Sequence, residues 1–306
     1  MKNISALFVV LSLMLASFTA GMEYQRGDVD QDGNVGISDV TCLIDYLLYG
    51  TWGDEPVNPD EPVTETFTVG GVTFTMVAVE GGTFTMGATA EQGGDALDWE
   101  TPAHQVTLSS YCIGQTEVTQ ALWQAVMGSN PSYFNGGNYG TNLQRPVETV
   151  SWYDCQTFLT QLNQLTGRTF RLPTEAEWEF AARGGNLSQG YKYAGSNTIG
   201  DVAWYYDNSY GLGSSNPDYG THAVATKAAN ELGLYDMSGN VWELCQDWYD
   251  SYSSEAQTNP MGPSSGSLRV FRGGGWYDDA RLCRVSYRYD FIPSNACYHI
   301  GLRLAL

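Results

Sequence analysis

Loops dominate the sequence from Phe67 to the end of the chain, and this limits the folds that the chain can adopt. The region is rich in glycine, asparagine, serine and tyrosine; the whole chain of 306 residues contains 35 glycines and 20 tyrosines. Such loops need bound ions, ligands or aromatic packing to stay ordered, because few hydrogen-bonded elements hold them. The composition therefore predicts a domain of short strands and few helices.

Three helices have local signals in this region. Each begins at a serine or threonine that can cap a helix, and a glycine follows its end. The predicted segments are Thr119–Gly128, Ser151–Gly167 and Thr174–Gly184. In the last of these, Glu177 completes a capping box with Thr174, whereas Glu175 and Glu179 are predicted to lie on a solvated helix face.

Residues 1–21 have the layout of a secretory signal peptide. Lys2 gives a short positive region, Ile4 to Phe18 is almost entirely apolar, and small residues follow. The apolar run is short for a membrane span. A buried N-terminal helix is the alternative to a signal peptide. No later stretch approaches 18 consecutive apolar residues. We therefore expect an exported protein, periplasmic, at the cell surface or secreted, with no membrane span.

Charge and residue counts exclude several classes of partner and site. The net charge of −20 would repel nucleic acid and anionic membranes. Six cysteines in an exported chain permit three disulfides, with the pairing left open. The chain has only three histidines, so a histidine-rich catalytic metal site is not expected. Of these, His104 lies in strand-like sequence and is interpreted as structural.

Residues 28–39 have the oxygen spacing of a calcium-binding loop. The candidate ligands are Asp28, Asp30, Asp32, Asn34 and Asp39. Gly33 falls where such a loop turns sharply, and the helix-like sequence after Asp39 is amphipathic. An acidic, solvated loop without metal is the alternative.

The segment 27–50 resembles a single dockerin type I repeat, a small EF-hand-like module. Known dockerins pair two such repeats and bind cohesin domains, often on polysaccharide-degrading machinery, so this resemblance implies calcium and a possible cohesin partner. Only one repeat is found here. Residues 51–66 are acidic and carry three prolines, which predicts an extended linker before a domain at 67–306.

An ordered set of motifs runs through the C-terminal region. The motifs are Gly82–Gly87, Thr116–Gln120, Pro146–Trp152, Arg171–Glu179, Asn230–Glu243, Arg272–Trp276 and Gly301–Arg303. Together they resemble the formylglycine-generating enzyme (sulfatase-modifying factor) family. The resemblance implies an α+β, C-type-lectin-like fold with low regular secondary structure.

The same resemblance raises doubt about catalysis. The family oxidises a peptide cysteine to formylglycine with oxygen and copper(I), which two cysteines five residues apart hold as thiolates. Here the second cysteine matches Cys283, but the first falls on Asp278 and an active-site serine falls on Gly275. One carboxylate and one thiolate make a poor copper(I) site, so copper is not expected. Cys283 is interpreted as a packed thiol or half of a disulfide.

A calcium site of the family has counterparts in this sequence. They are the side chains of Asp236 and Glu243 and the carbonyls of Gly239 and Val241. Two carboxylates and two carbonyls within eight residues suit calcium. In the alternative interpretation, Asp236 caps a turn and Glu243 pairs with an arginine. With the loop at 28–39, the sequence thus predicts two calcium sites.

Tyrosine-rich loops near residues 276–299 suggest a ligand face for a protein or glycan. The candidate residues are Trp276, Tyr277, Asp279, Arg281, Tyr287, Tyr289, Phe291 and Tyr298. Some proteins of this fold are targets of diversity-generating retroelements, which turn AAC codons into any codon ending in C. Positions 277–282, 287, 289–292 and 294–299 lack Lys, Glu, Gln, Met and Trp, the residues that such codons cannot encode. Ordinary surface loops are the alternative.

Three functions follow from these features. The first is a calcium-stabilised, non-catalytic binding protein. The second is an oxidoreductase of the same family with an altered metal site at Asp278 and Cys283. The third is a component of polysaccharide-degrading machinery, tethered through the dockerin-like repeat.

Overall fold

A computed structural model describes residues 62–306. The predicted signal peptide, dockerin-like repeat and most of the linker lie outside the described residues. The first strand begins at Thr64, inside the segment predicted to be linker.

Ten short strands form three small sheets. In chain order they are β1 (Thr64–Val69), β2 (Val72–Val79), β3 (Thr83–Met86), β4 (His104–Thr107), β5 (Tyr111–Gly114), β6 (Trp242–Trp248), β7 (Gln257–Thr258), β8 (Arg269–Arg272), β9 (Arg288–Phe291) and β10 (Ile300–Leu302). The sheet orders are β1-β2-β5, β10-β6-β8-β9 and β3-β4-β7. Most pairs are antiparallel, but β10 runs parallel to β6 and β7 runs parallel to β4. The parallel pairs join segments that are far apart in the chain.

In the part of the chain that the structure describes, four α-helices accompany the sheets: α1 (Gln120–Met127), α2 (Trp152–Thr166), α3 (Glu175–Ala182) and the single turn α4 (Ile199–Val202). The first three confirm the sequence-based predictions. Ser151 and Thr174 each accept a bond from the backbone amide three residues on, and the acidic residue there bonds back, so both capping boxes are present. Gly128 and Gly167 end α1 and α2 in the left-handed conformation that glycine adopts without strain.

The core of residues 62–306 consists of two large apolar clusters and a small third one formed by Tyr193, Val202 and Cys283, and buried arginines lie between its elements. Trp123 of α1 stacks on Phe158 of α2 with ring centroids 4.8 Å apart in one cluster. Trp178 and Phe180 of α3 lie in the other large cluster. Within residues 62–306, four arginines are at most 2 % exposed, and each donates hydrogen bonds to a carboxylate: Arg272, Arg284, Arg288 and Arg303.

The prediction of a solvated face on α3 is wrong. Glu175 is 5 % exposed and Glu179 is fully buried. Glu175 accepts two 2.7 Å bonds from Arg288, and Glu179 pairs with Arg272 and Arg183. Guanidinium groups from β8, β9 and the end of α3 supply the opposite charge that lets these carboxylates leave water.

The five cysteines between residues 62 and 306 are free thiols, so the three disulfides that the count permits are not formed there. They are Cys112, Cys155, Cys245, Cys283 and Cys297. Within the same residues, no helix has the length and apolar character needed to cross a lipid bilayer.

Candidate functional site

A tight turn after β8 carries the acid predicted at the family's first cysteine position. Asp278 is 7 % exposed, and its Oδ2 accepts bonds from the backbone amide of Gly275 (2.9 Å) and from Nε1 of Trp242 (2.7 Å). The backbone amide of Asp278 donates to the Gly275 carbonyl at 3.0 Å. A Cβ at position 275 would lie 3.4 Å from Asp278 Oδ2, in van der Waals contact with the carboxyl group.

Burial sets the protonation behaviour of Asp278. It raises the pKa of the carboxyl to about 7, and the bonds from Trp242 and Gly275 offset only part of this effect. Among residues 62–306, no cation pairs with the group. Asp278 therefore changes charge near neutral pH inside a largely apolar environment.

Cys283 ends the short 3-10 helix Ala280–Cys283 that follows this turn. Its side chain is fully buried, and burial, reinforced by the charges of Asp278 and Asp279, raises the pKa of the thiol well above its usual value. The sulfur approaches the Asp279 carbonyl at 3.8 Å. Gly274 closes over it, because a Cβ at 274 would lie 2.7 Å from Sγ. Cys283 is therefore a protonated, packed thiol.

The eight residues predicted as a ligand face differ in exposure. Asp279, Arg281, Tyr289 and Tyr298 are exposed, and Tyr277 and Phe291 are half-buried. Two of the eight do not reach the surface: Trp276 is fully buried and Tyr287 is 5 % exposed. Their large rings pack beneath their neighbours, so they support the face instead of contacting a ligand.

Trp276 is the centre of an aromatic cluster built from four loops. Its ring centroid lies 5.0 Å from Tyr219, 5.1 Å from Phe134, 5.6 Å from Tyr210 and 5.9 Å from Tyr298. We call the outward-facing part of this cluster the tyrosine face. It consists of Tyr133, Tyr139, Tyr210, Tyr219 and Tyr298, of which Tyr133, Tyr210 and Tyr298 are 57 %, 39 % and 44 % exposed.

Backbone hydrogen bonds tie the loops of the tyrosine face together. The amide of Trp276 donates to the Asn240 carbonyl at 2.8 Å, and the amide of Tyr206 donates to the Asp278 carbonyl at 2.8 Å. In the loop between α4 and β6, the buried hydroxyl of Ser209 lies 2.8 Å from the carbonyl oxygens of both Asp218 and Gly220, so its single proton can be donated to either, and it accepts a bond from the Gly220 amide at 3.2 Å. The tyrosines are thus mounted on loops that are already ordered, which lowers the entropy cost of binding.

Two phenols of the face, those of Tyr139 and Tyr219, stay protonated at physiological pH. A hydrogen bond with Tyr133 raises the pKa of Tyr139 to about 12, and burial raises the pKa of Tyr219. Each hydroxyl can therefore donate and accept a hydrogen bond while its ring offers apolar area.

Comparison with known proteins identifies the family. The model of the sulfatase-modifying factor enzyme 1-like domain matches residues 63–306. The chain belongs to this family. Its membership confirms the predicted fold, which is mixed, modest in regular secondary structure and C-type-lectin-like.

Three relatives show the range of the family. The chain is 35 % identical to the chaperone protein LppX of Paenibacillus barcinonensis over 242 residues, 65 % of this chain and 81 % of that protein. It is 28 % identical to the formylglycine-generating enzyme of Streptomyces coelicolor over 283 residues, 75 % of this chain and 88 % of the enzyme. The solved structure of Treponema denticola variable protein 1 superposes with a TM-score of 0.69 at 37 % identity, covering 80 % of this chain and 99 % of that one.

The residues at the family's copper position do not fit copper(I). Asp278 offers a hard oxygen where a soft thiolate is needed. Its Oδ2 already accepts hydrogen bonds from Nε1 of Trp242 and from the amide of Gly275. Cys283 is buried as a thiol. Within residues 62–306, no three His, Cys, Asp or Glu side chains converge in a way that could hold a metal ion.

The family's calcium position fits calcium only in part. Asp236 has a buried Oδ1 with no partner in residues 62–306, while its Oδ2 accepts from the Ala225 amide at 2.7 Å. Glu243, in contrast, uses both oxygens on Arg303, and Oε2 also accepts from Trp178 Nε1. A calcium ion bound there would have to draw Glu243 away from Arg303. The predicted carbonyl ligands Gly239 and Val241 lie between these two residues, and the Val241 amide donates to Glu117.

Asp278→Asn is expected to stabilise the protein at pH 8 and to leave its stability at pH 4 nearly unchanged. Because the folded pKa is raised, Asp278 contributes stability below its unfolded value that is lost as pH rises from 3.8 to about 7. The amide keeps an acceptor for Trp242 and Gly275. The gain at pH 8 should be about 2–4 kcal/mol, from about 1.36 kcal/mol per pKa unit. Urea unfolding at both pH values measures it; an equal change at pH 4 and pH 8 contradicts the charge argument.

Sequence reasoning missed four of the five residues of the tyrosine face. Tyr133, Tyr139, Tyr210 and Tyr219 lie in two loops far from residues 276–299. The clustering of tyrosine and asparagine in residues 203–219 was the available signal. It did not reveal that these loops meet over Trp276.

Proposed function

We propose that this chain is an exported, non-catalytic member of its family whose tyrosine face binds a protein or glycan ligand. The observation that carries the proposal is Asp278. A carboxylate anchored by Trp242 and Gly275 occupies the position where the family's chemistry needs a thiolate, and the remaining Cys283 is packed as a thiol. Without a thiolate pair, the soft-metal oxidation has no anchor.

The tyrosine face supplies the binding surface of this proposal. Tyrosine gives large apolar contact area with few rotatable bonds and a polar hydroxyl, which suits recognition of chemically varied partners. Trp276 and Phe134 support it from below and are fully buried. Asp279 and Arg281, which follow Trp276 closely in the chain, are exposed and offer one acidic and one basic side chain for further polar contacts.

The pattern of exposure supports variation of residues 277–299, the segment that contributes Tyr298 to the tyrosine face. The positions without Lys, Glu, Gln, Met or Trp include exposed ones at 279, 281, 289, 292, 294–296 and 298. The positions interspersed between them, 283–286, 288 and 293, are buried. Substitution concentrated on the exposed positions would change the ligand while leaving the core intact. The likeness to a protein named variable protein 1 is consistent with this, and codons not ending in C at the 17 positions would refute it.

The N-terminal segment adds two further proposals. Export follows from residues 1–21, and calcium binding with tethering to a cohesin-bearing partner follows from Asp28–Asp39. Replacement of Asp28 and Asp30 by alanine should remove calcium from this loop, as measured by calorimetric titration of the mature chain.

Binding through the tyrosine face predicts selective losses in a ligand screen. The mature chain is screened against glycan arrays and displayed extracellular proteins. Tyr133→Ala and Tyr298→Ala should each lower the affinity for a ligand found in the screen about tenfold or more, as expected for central aromatic contacts. Tyr153→Ala, which removes an equally exposed tyrosine from α2, is the matched control and should have no effect.

A parallel assay addresses catalysis. Incubation of the copper-treated chain with a sulfatase-motif peptide should give no formylglycine, read by mass spectrometry. Formation of formylglycine, or ligand losses that Tyr153→Ala reproduces, would overturn the proposal.

A further inference from the structure

A cavity lies apart from the tyrosine face, and none of the five tyrosines of that face lines it. It has a volume of about 570 Å³ and is lined by β3, β4, α3 and the segment after β6. The lining residues used below are Met86, Glu175, Asp247, Asp250, Met261 and Arg288. Its volume falls in the range of small-molecule sites.

Asp247 is the unusual group in this cavity. It is 5 % exposed, and its Oδ2 accepts a 2.9 Å bond from the backbone amide of Glu175. Its Oδ1 accepts no hydrogen bond from residues 62–306, yet it is not sealed from the cavity. Gly262 keeps the approach open, because a Cβ at 262 would lie 3.2 Å from this oxygen. One oxygen of this largely buried carboxyl group is therefore accessible from the cavity and has no hydrogen-bond partner among residues 62–306.

The cations near Asp247 are engaged elsewhere. Arg288 gives two bonds of 2.7 Å to Glu175 and a third to the Asp250 carbonyl. Arg269 lies between the rings of Trp152 and Trp248, 3.8 Å and 3.4 Å from their centroids. Burial, followed by the charge of Glu175, raises the pKa of Asp247 to about 7.

We propose that this cavity binds the ammonium group of a small organic amine, with Asp247 Oδ1 as its counter-ion. Asp250 lies exposed on the same lining and adds a second negative charge. Met86 and Met261 offer apolar contact to the carbon chain of the amine. An ammonium group supplies the hydrogen-bond donor and the positive charge that Asp247 lacks.

Other ligand classes fit the lining less well. Anions would meet Asp247 and Asp250, and a neutral alcohol would leave the buried carboxylate without a counter-charge. A hard dication takes six or more oxygens, and the described residues bring no three acidic, histidine or cysteine side chains together for one. A monovalent organic cation would balance the charge of Asp247 and place its carbon chain against Met86 and Met261.

The test uses the mature full-length chain, labelled with 13C-methyl methionine, at pH 8. We titrate pentylamine and, as its neutral isostere, 1-pentanol. Pentylamine should shift the Met86 and Met261 signals and bind at least tenfold more tightly than 1-pentanol. Equal binding of the two, or no shift by pentylamine, overturns the proposal whatever the variants do.

Asp247→Asn tests the named residue, because it keeps the shape and an acceptor for the Glu175 amide but removes the charge. It should weaken pentylamine binding about tenfold or more, whereas Asp98→Asn, at an exposed site outside the lining, should not. Undiminished binding by a folded Asp247→Asn variant also refutes the proposal. The result is independent of the tyrosine face, since binding there would not move the Met86 and Met261 signals.

Discussion

Asp278→Cys is expected to raise the affinity of the protein for copper(I) on the order of a thousandfold. The substitution restores a cysteine five residues before Cys283, so a copper ion bound by one thiolate meets the second at high effective concentration. Soft thiolate ligands select copper(I) over the hard cations of the medium. Competition titration against a chromogenic copper(I) chelator measures the affinity of the wild type and the variant.

Two matched variants define the cause of this gain. Asp279→Cys places a cysteine on the exposed neighbour of Asp278 and should bind copper(I) no better than the wild type. Cys283→Ser in the Asp278→Cys background should abolish the gain. If wild-type protein binds copper(I) as tightly as Asp278→Cys, the carboxylate is not what separates this chain from its catalytic relatives, and the second function, an enzyme with an altered metal site, gains support.

Arg303→Met is expected to lower the free energy of unfolding by about 3–5 kcal/mol, the usual cost of removing one partner of a buried ion pair. Arg303 is fully buried and gives Glu243 bonds of 2.9 Å and 2.7 Å. It also donates to the carbonyls of Gly114 and Tyr235 at 2.8 Å and 2.7 Å. The substitution leaves Glu243 buried with only Trp178 as a donor. Urea unfolding at constant pH measures the change.

The surface pair of Arg168 and Glu65 gives the control for this prediction. Both side chains are nearly half exposed, so Arg168→Met should cost about 0–1 kcal/mol. The double variant Arg303→Met with Glu243→Met should recover part of the stability, because no charge is then left unpaired. A loss no larger for Arg303→Met than for Arg168→Met would contradict the burial argument. It would also favour calcium, instead of Arg303, as the partner of Glu243.

Features that depend on neighbouring residues were predictable from the sequence. The capping boxes at Ser151 and Thr174 act within three residues, and both helices begin where they predict. The ordered motifs predicted the family and its fold, because they place glycines and buried arginines where the backbone and the core require them. The substitution at Asp278 was visible for the same reason, as it lies inside one of these motifs.

Features that depend on distant residues were not predictable. Glu175 and Glu179 were predicted to face solvent because they are polar. In the core, however, guanidinium groups about 100 residues away in the chain neutralise both carboxylates. Trp276 was predicted to contact a ligand because it is a large aromatic residue, yet Phe134 and Tyr219 cover it from two other loops. Pairing of Glu243 with an arginine was one of the two interpretations that the sequence left open, but the identity of that arginine, Arg303, 60 positions away, came only from the structure.

The sequence by itself determined that the chain keeps this family's scaffold and lacks a cysteine at residue 278, since both follow from residue identity at aligned positions. Only the tertiary structure decided which side chains reach solvent and which charges are paired. Burial and ion pairing depend on contacts between loops that the chain brings together through packing, and local sequence carries no record of those contacts. The tyrosine face and the oxygen of Asp247 that has no partner in residues 62–306 both result from such contacts between distant loops.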